Sequence, residues 1–69
     1  MSVAKVIELS AEGETIESAI DNAVAAASKS IKGITGVNVE NIKAMVDDNR
    51  VTTYRILCKI SFIVKIDND

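Results

Sequence analysis

The chain has 69 residues, with eight basic and ten acidic side chains, no histidine, no proline and one cysteine. This length forms a single small domain with a thin core, and a lone cysteine excludes an internal disulfide, so oligomerisation is the expected source of further stability. A net charge of −2 with one tyrosine and one phenylalanine excludes the usual nucleic-acid surface, and no apolar run reaches the roughly 18 residues of a membrane span.

The first predicted element is a strand at residues 3–9, VAKVIEL, because apolar and β-branched residues are concentrated there and the polar stretch SAEGE follows. The first ten residues, MSVAKVIELS, lack the layout of a signal peptide. We therefore expect a reduced, cytoplasmic environment.

A helix is predicted from about residue 12 to residue 32, because apolar side chains recur there at steps of three and four residues. This stripe consists of Ile16, Ala19, Ile20, Ala23, Val24, Ala27 and Ile31. The stretch SAEGET offers no capping box, whereas Gly33 suits a left-handed cap just past the helix. The many alanines would let a sheet approach this helix closely.

Two further strands and a turn complete the chain. Residues 36–46, GVNVENIKAMV, form the second predicted strand, in which the apolar parity changes near Asn41 and so predicts a bulge or a bend. DDNR at residues 47–50 is typical of a turn. The third predicted strand, VTTYRILCKISFIVKI at residues 51–66, has apolar residues on its even parity. Its odd parity mixes Leu57 and Ile63 with charged side chains.

These elements predict one α+β domain over residues 1–69, in which a three-stranded antiparallel sheet packs on one long helix in the order β-α-β-β. The third strand is placed in the middle of the sheet, with its even parity against the helix. Its odd parity then receives no cover from its own chain. A partner subunit is the simplest cover for such a face, since exposed apolar patches and strand edges favour association.

The sequence does not predict an enzyme. Without histidine there is no usual acid–base pair and no closed zinc site, and the acidic stretches VDD and IDND are typical of a solvated turn and terminus. Cys58 lies on the apolar parity, where we expect a buried and unreactive thiol. Arg55 lies on the uncovered parity, and two interpretations remain open: it pairs with a carboxylate, or it contacts an anion or ligand between subunits.

Over residues 4–64 the chain resembles the dodecin family. The similar segments, in order, are KVIELS, ESAIDNAVAAASKSI, VNVEN and the pattern TYRI…KISF of the last strand. The resemblance implies a hollow homododecamer of cubic symmetry that stores a flavin (FMN, FAD or riboflavin) between its subunits. Such an assembly would cover the odd parity of the third strand.

Two positions of the family's flavin site depart from the usual pattern. Gly36 stands where flavin-binding dodecins carry a tryptophan that stacks on the isoalloxazine ring, and Arg55 stands where they carry a glutamine that bonds the ring. The resemblance therefore implies that the usual flavin mode is absent or weakened. Tryptophan-less relatives with arginine after the tyrosine resemble what has been called a calcium-binding dodecin. The alternative is thus a shell that binds calcium or another divalent cation, binds another anionic cofactor, or is purely structural.

Overall fold

The computed structural model describes residues 2–66, in which four secondary-structure elements follow one another. Strand β1 spans Ser2–Gly13, helix α1 spans Ile16–Ser28, strand β2 spans Ile34–Asp47 and strand β3 spans Arg50–Lys65. The predicted order β-α-β-β is confirmed, although β1 and β2 are longer and α1 is shorter than predicted. Within these residues, no helix has the length and apolar character that crossing a membrane requires.

The three strands form one antiparallel sheet in the order β1-β3-β2, so β3 is central as predicted. A two-residue turn joins β2 to β3, and both of its residues are left-handed, with φ of 53° at Asp48 and 63° at Asn49. Two left-handed residues match the twist of a hairpin, and Asp and Asn tolerate that conformation. The predicted turn is therefore confirmed.

The core lies between α1 and one face of β3. The buried side chains are Ile56, Cys58 and Ile60 of β3 and Ala19, Ala23 and Ala27 of α1. Because the buried side chains of the helix are all alanines, its backbone can approach the sheet closely. The prediction that the even parity of β3 faces the helix is confirmed. Tyr54 and Phe62, at the two ends of this parity, are half-buried.

The helix covers only part of the sheet. The 13 residues of α1 span about 20 Å and the 16 residues of β3 about 50 Å. The molecule accordingly measures 59 × 19 × 13 Å. We call residues 45–53 the hairpin arm, because they lie beyond the last β1–β3 pair, Gly13 with Tyr54. The arm exposes apolar side chains at Val46 and Val51.

A β-bulge keeps the apolar residues of β2 on one side of the sheet. Val39 pairs with Cys58 but Asn41 pairs with Leu57, so the register shifts between them, as the change of parity near Asn41 predicts. The shift returns Ile42 to the helix side, opposite Ile56. Two further shifts lie between residues 34 and 36 and between residues 45 and 46.

The predicted start of the helix at residue 12 is wrong, and so is the expectation that no capping box is present. Thr15 is the N-cap: its hydroxyl accepts the Ser18 backbone N–H at 3.0 Å, and the Ser18 hydroxyl accepts the Thr15 N–H at 3.0 Å. A serine thus takes the position that Glu or Gln usually occupies in this box. Gly13 ends β1 directly against this turn, where a Cβ atom would collide with Ser18.

The predicted end of the helix at residue 32 is also wrong. The helix ends at Ser28, and its C-cap Lys29 is right-handed. Gly33 is left-handed, with φ of 79°, but it is not the cap, since it lies in the loop that leads into β2. There its carbonyl accepts the Ile63 N–H at 3.0 Å. Gly33 therefore directs the chain back to the sheet, and a Cβ at this position would approach the Ile63 carbonyl oxygen to 3.0 Å.

Candidate functional site on the open face of the sheet

We call the side of the sheet opposite α1 the open face. Its central row consists of the odd-numbered side chains of β3, which are Thr53, Arg55, Leu57, Lys59, Ser61 and Ile63. Within residues 2–66, α1 is the sole helix and packs on the other side. The absence of cover from the same chain, which the alternation in β3 predicts, is therefore observed.

Apolar side chains stand among charges on the open face. Leu57 is 38% exposed although it lies in the middle strand, and Val6 of β1 is 59% exposed. On this face Leu57 is flanked along β3 by Arg55 and Lys59. A face of this composition is typical of a contact surface that combines apolar packing with polar groups.

A concavity of about 320 Å³ lies on this face around Gly36. Its lining residues are Val6, Gly36, Val37, Asn38, Lys59 and Ser61. The surface is low there because Gly36 has no side chain and its cross-strand partner Ser61 has a small one. The Ser61 hydroxyl lies 3.1 Å from the Thr35 hydroxyl and donates to the Gly36 carbonyl at 3.4 Å. These hydrogen bonds connect the irregular start of β2 to β3 at the bottom of the concavity.

Lys59 and Asn38 form the polar wall of the concavity and are cross-strand partners. Asn38 donates a hydrogen bond from Nδ2 to Oε2 of Glu40. The other oxygen of Glu40 lies 3.8 Å from Nζ of Lys59. This distance is too long for a hydrogen bond, so the ion pair is weak.

Arg55 forms the strongest ion pair that the structure describes on this face. Its Nε and Nη2 atoms donate to Oε1 of Glu12 at 2.9 and 2.6 Å, and the two residues are cross-strand partners. Both side chains are about half exposed, so this pair contributes at most about 1 kcal/mol to stability. Of the two interpretations of Arg55, pairing with a carboxylate is the one that a single chain exhibits.

The two site residues predicted from the sequence lie on the same face but not side by side. Gly36 pairs with Ser61, which lies along β3 from Arg55 by roughly 20 Å at about 3.3 Å per residue. One small ligand on one chain therefore cannot contact both. Gly36 and Arg55 can meet at one ligand only when they come from different subunits.

Cys58 is the one cysteine of the chain, and it is fully buried. Burial raises the pKa of the Cys58 thiol, which suits the buried and unreactive cysteine that the sequence predicts. No three His, Cys, Asp or Glu side chains come together as metal ligands in this part of the chain. The two acidic residues of IDND, Asp67 and Asp69, lie outside the described residues.

Three residues of this face were not singled out by sequence reasoning, namely Glu12, Asn38 and Lys59. The alternation of β3 contained part of the signal, since Lys59 shares the parity of Arg55. Finding Glu12 required the register of β1 on β3, and a predicted strand that ended at residue 9 could not supply it. Asn38 required the position of the bulges in β2.

Comparisons with known proteins agree with this fold over nearly the whole chain. The family model described as Dodecin matches residues 3–65. An arginine-to-alanine variant of Thermus thermophilus dodecin is 25% identical, with a TM-score of 0.87 over 96% of this chain and 100% of that chain. Dodecin from Streptomyces coelicolor is 19% identical, with a TM-score of 0.85 over 96% of each chain. Dodecin from Streptomyces davaonensis is 15% identical, with a TM-score of 0.85 over 94% of this chain and 97% of that chain, so the two Streptomyces proteins support the fold alone.

No curated protein sequence shows a significant match. The match over residues 3–65, together with the β-α-β-β fold, shows that this chain belongs to the dodecin family.

Proposed function

We propose that this protein assembles into a homododecameric shell that binds and stores a small ligand between the open faces of neighbouring subunits. One observation carries the proposal: the open face exposes Leu57 and Val6 beside a ligand-sized concavity, and no other part of residues 2–66 covers it. A thin-cored chain with such a face gains stability from association. Membership of a family of small flavin-binding proteins supports ligand storage rather than catalysis.

The family ligand, a flavin, would bind differently here. Gly36 offers no ring for stacking, and two of the five N–H donors of Arg55 are directed to Glu12. An aromatic pair contributes about 0.5–1.5 kcal/mol beyond the area that it buries, and the area of an indole is also missing. We therefore propose that this protein binds flavin more weakly than dodecins that carry the tryptophan, in the space that Gly36 leaves open.

A shell that binds calcium or another divalent cation is the alternative that the family resemblance raises. Such a cation prefers six or more oxygen ligands. Within residues 2–66 of one chain no acidic cluster of three or more supplies them. A cation would need carboxylates from several subunits, and no observation on the described residues favours that arrangement over a small organic ligand.

The proposal is tested by light scattering on the purified protein, with the visible absorbance recorded on the same chromatographic peak, followed by titration with riboflavin. We expect a mass of twelve chains and weak riboflavin binding. Gly36→Trp should tighten riboflavin binding by roughly tenfold or more, because it restores a stacking ring.

Gly36→Ala is the matched control. A Cβ at Gly36 would lie 3.4 Å from the Ser61 hydroxyl, an ordinary contact, so this variant should assemble as the parent does, and without a ring it should not tighten riboflavin binding. A monomeric parent protein would refute the shell. A Gly36→Trp variant that assembles without tighter riboflavin binding would refute the placement of the ligand at Gly36.

A further inference from the structure

Strand β3 places two cations on the open face, Arg55 and Lys59, and they differ in how their hydrogen-bond donors are used. Arg55 directs two donors to one oxygen of Glu12 at 2.9 and 2.6 Å. Lys59 has Oε1 of Glu40 at 3.8 Å from Nζ, beyond hydrogen-bond distance. An ammonium group has three N–H donors. Among residues 2–66, Lys59 therefore keeps all three donors available for a ligand, whereas Arg55 directs two of its five donors to Glu12.

Two carboxylates, those of Glu8 and Glu40, lie near Lys59, but neither accepts a hydrogen bond from its ammonium group. The side chains of Lys59 and Glu40 are 48% and 35% exposed, so water screens their attraction. Asn38 holds the other oxygen of Glu40 through its amide. Glu8 is the cross-strand neighbour of Lys59 in β1 but forms no ion pair with it in the described part of the chain. An oxyanion that approaches Lys59 would therefore displace a weak contact rather than a strong one.

The surroundings of Lys59 have the composition of a ligand site. The concavity of about 320 Å³ lies near the lower end of small-molecule pockets, which begin at about 300 Å³. Val6 offers it apolar surface, and Ser61 and Asn38 add polar groups beside the ammonium of Lys59. Such a combination suits a ligand with an apolar body and a negatively charged group at one edge.

We propose that the concavity at Gly36 binds a small ligand through an oxyanion, carboxylate or phosphate, and that Lys59 is the residue that holds this group. The inference rests on the proposed function in one respect, since the concavity is open on one side and a neighbouring subunit must cover the rest of the ligand. It assigns the charge selectivity of the site to Lys59 and not to Arg55.

Three probes with the same isoalloxazine ring test the charge selectivity in equilibrium dialysis with the full chain. Riboflavin is neutral, FMN carries a phosphate and 10-carboxymethylflavin carries a carboxylate. We expect the two anions to bind roughly tenfold more tightly than riboflavin, since a charged hydrogen bond at a half-exposed site contributes at the low end of its range. A preference for FMN alone would identify phosphate as the oxyanion.

Lys59→Gln should reduce the preference for the anionic probes to about one, and Lys59→Arg should keep it. Lys29→Gln is the matched control, because it removes the same charge at the end of α1, on the other side of the sheet. Equal affinity for the three probes, an unchanged preference in Lys59→Gln, or no binding of any probe would overturn the proposal. Light scattering on the same samples separates the role of Lys59 from the proposed shell. An assembled protein without anion preference refutes the role of Lys59 alone, whereas a monomer refutes the shell.

Discussion

Leu57→Lys is the most direct test of the open face as an interface. Leu57 lies at the centre of this face, between Ser10 of β1 and Asn41 of β2, and 38% of it is exposed. Complete burial of a leucine contributes about 1.5–3 kcal/mol, so covering its exposed part contributes about 1 kcal/mol per subunit. An ammonium group placed in the same contact costs several kcal/mol when it is desolvated without a partner. The substitution therefore changes the association free energy by several kcal/mol in every subunit.

Within one chain the same substitution should cost little, since the lysine can extend into solvent from a partly exposed position. We expect light scattering to show loss of the assembly and thermal denaturation to show a lower Tm, because a chain of 69 residues with a thin core loses the stability that association supplies. Leu57→Met conserves volume and apolar character and should assemble normally. A variant that keeps the parental mass and Tm would refute the interface, and a monomer that keeps the parental Tm would show that this face needs no cover.

Two further predictions concern the helix start and the buried thiol. Thr15→Ala removes the N-cap acceptor of Ser18 and should lower the free energy of unfolding by about 1 kcal/mol in a denaturant titration, and an unchanged midpoint would contradict the capping box. Cys58 should resist alkylation in the native protein but react once it is unfolded. Because burial raises the folded pKa of this thiol, its contribution to the free energy of unfolding should be constant below the ordinary thiol pKa and fall as the pH rises above it. Rapid native labelling would show that the thiol is accessible.

The strands, their order and the bulge could be predicted from the sequence, because alternation of apolar residues is a direct consequence of strand geometry. The even parity of β3 identified Ile56, Cys58 and Ile60, which are fully buried. The change of parity near Asn41 marked the bulge for the same reason: a displaced register would otherwise turn Ile42 away from the helix.

The ends of the helix could not be predicted in the same way, because the apolar spacing of the helix continues into residues that are not helical. Ile31 fits the helical spacing, yet the helix ends at Ser28 and Ile31 packs on the core from the loop. At the other end, the capping box depends on two hydroxyl groups, Thr15 and Ser18, rather than on the more familiar serine or threonine with glutamate. Local side-chain hydrogen bonds of this kind are visible only once the backbone is known.

The candidate site was predicted as a face and not as a set of contacts. Parity alone placed Arg55 on the uncovered side, but its partner Glu12 lies in a part of β1 that the sequence assigned to the helix. Gly36 was identified by family resemblance, and the concavity beside it depends on Ser61, which the register of β2 on β3 places opposite. Contacts between strands depend on how the strands pair in three dimensions, so the periodicity of the sequence could not predict them.

The composition of the open face distinguishes a ligand-binding interface from one that serves assembly alone. Buried interfaces pack as densely as protein interiors, and an apolar contact gains most when large side chains fill the space between subunits. Leu57 and Val6 follow that rule, but Gly36 and Ser61 stand opposite each other and leave about 320 Å³ unfilled. Two such faces in contact would enclose a void that costs stability unless another molecule occupies it. In the proposed shell, the face that would bury Leu57 against a neighbouring subunit would therefore also hold a small ligand in the space beside Gly36.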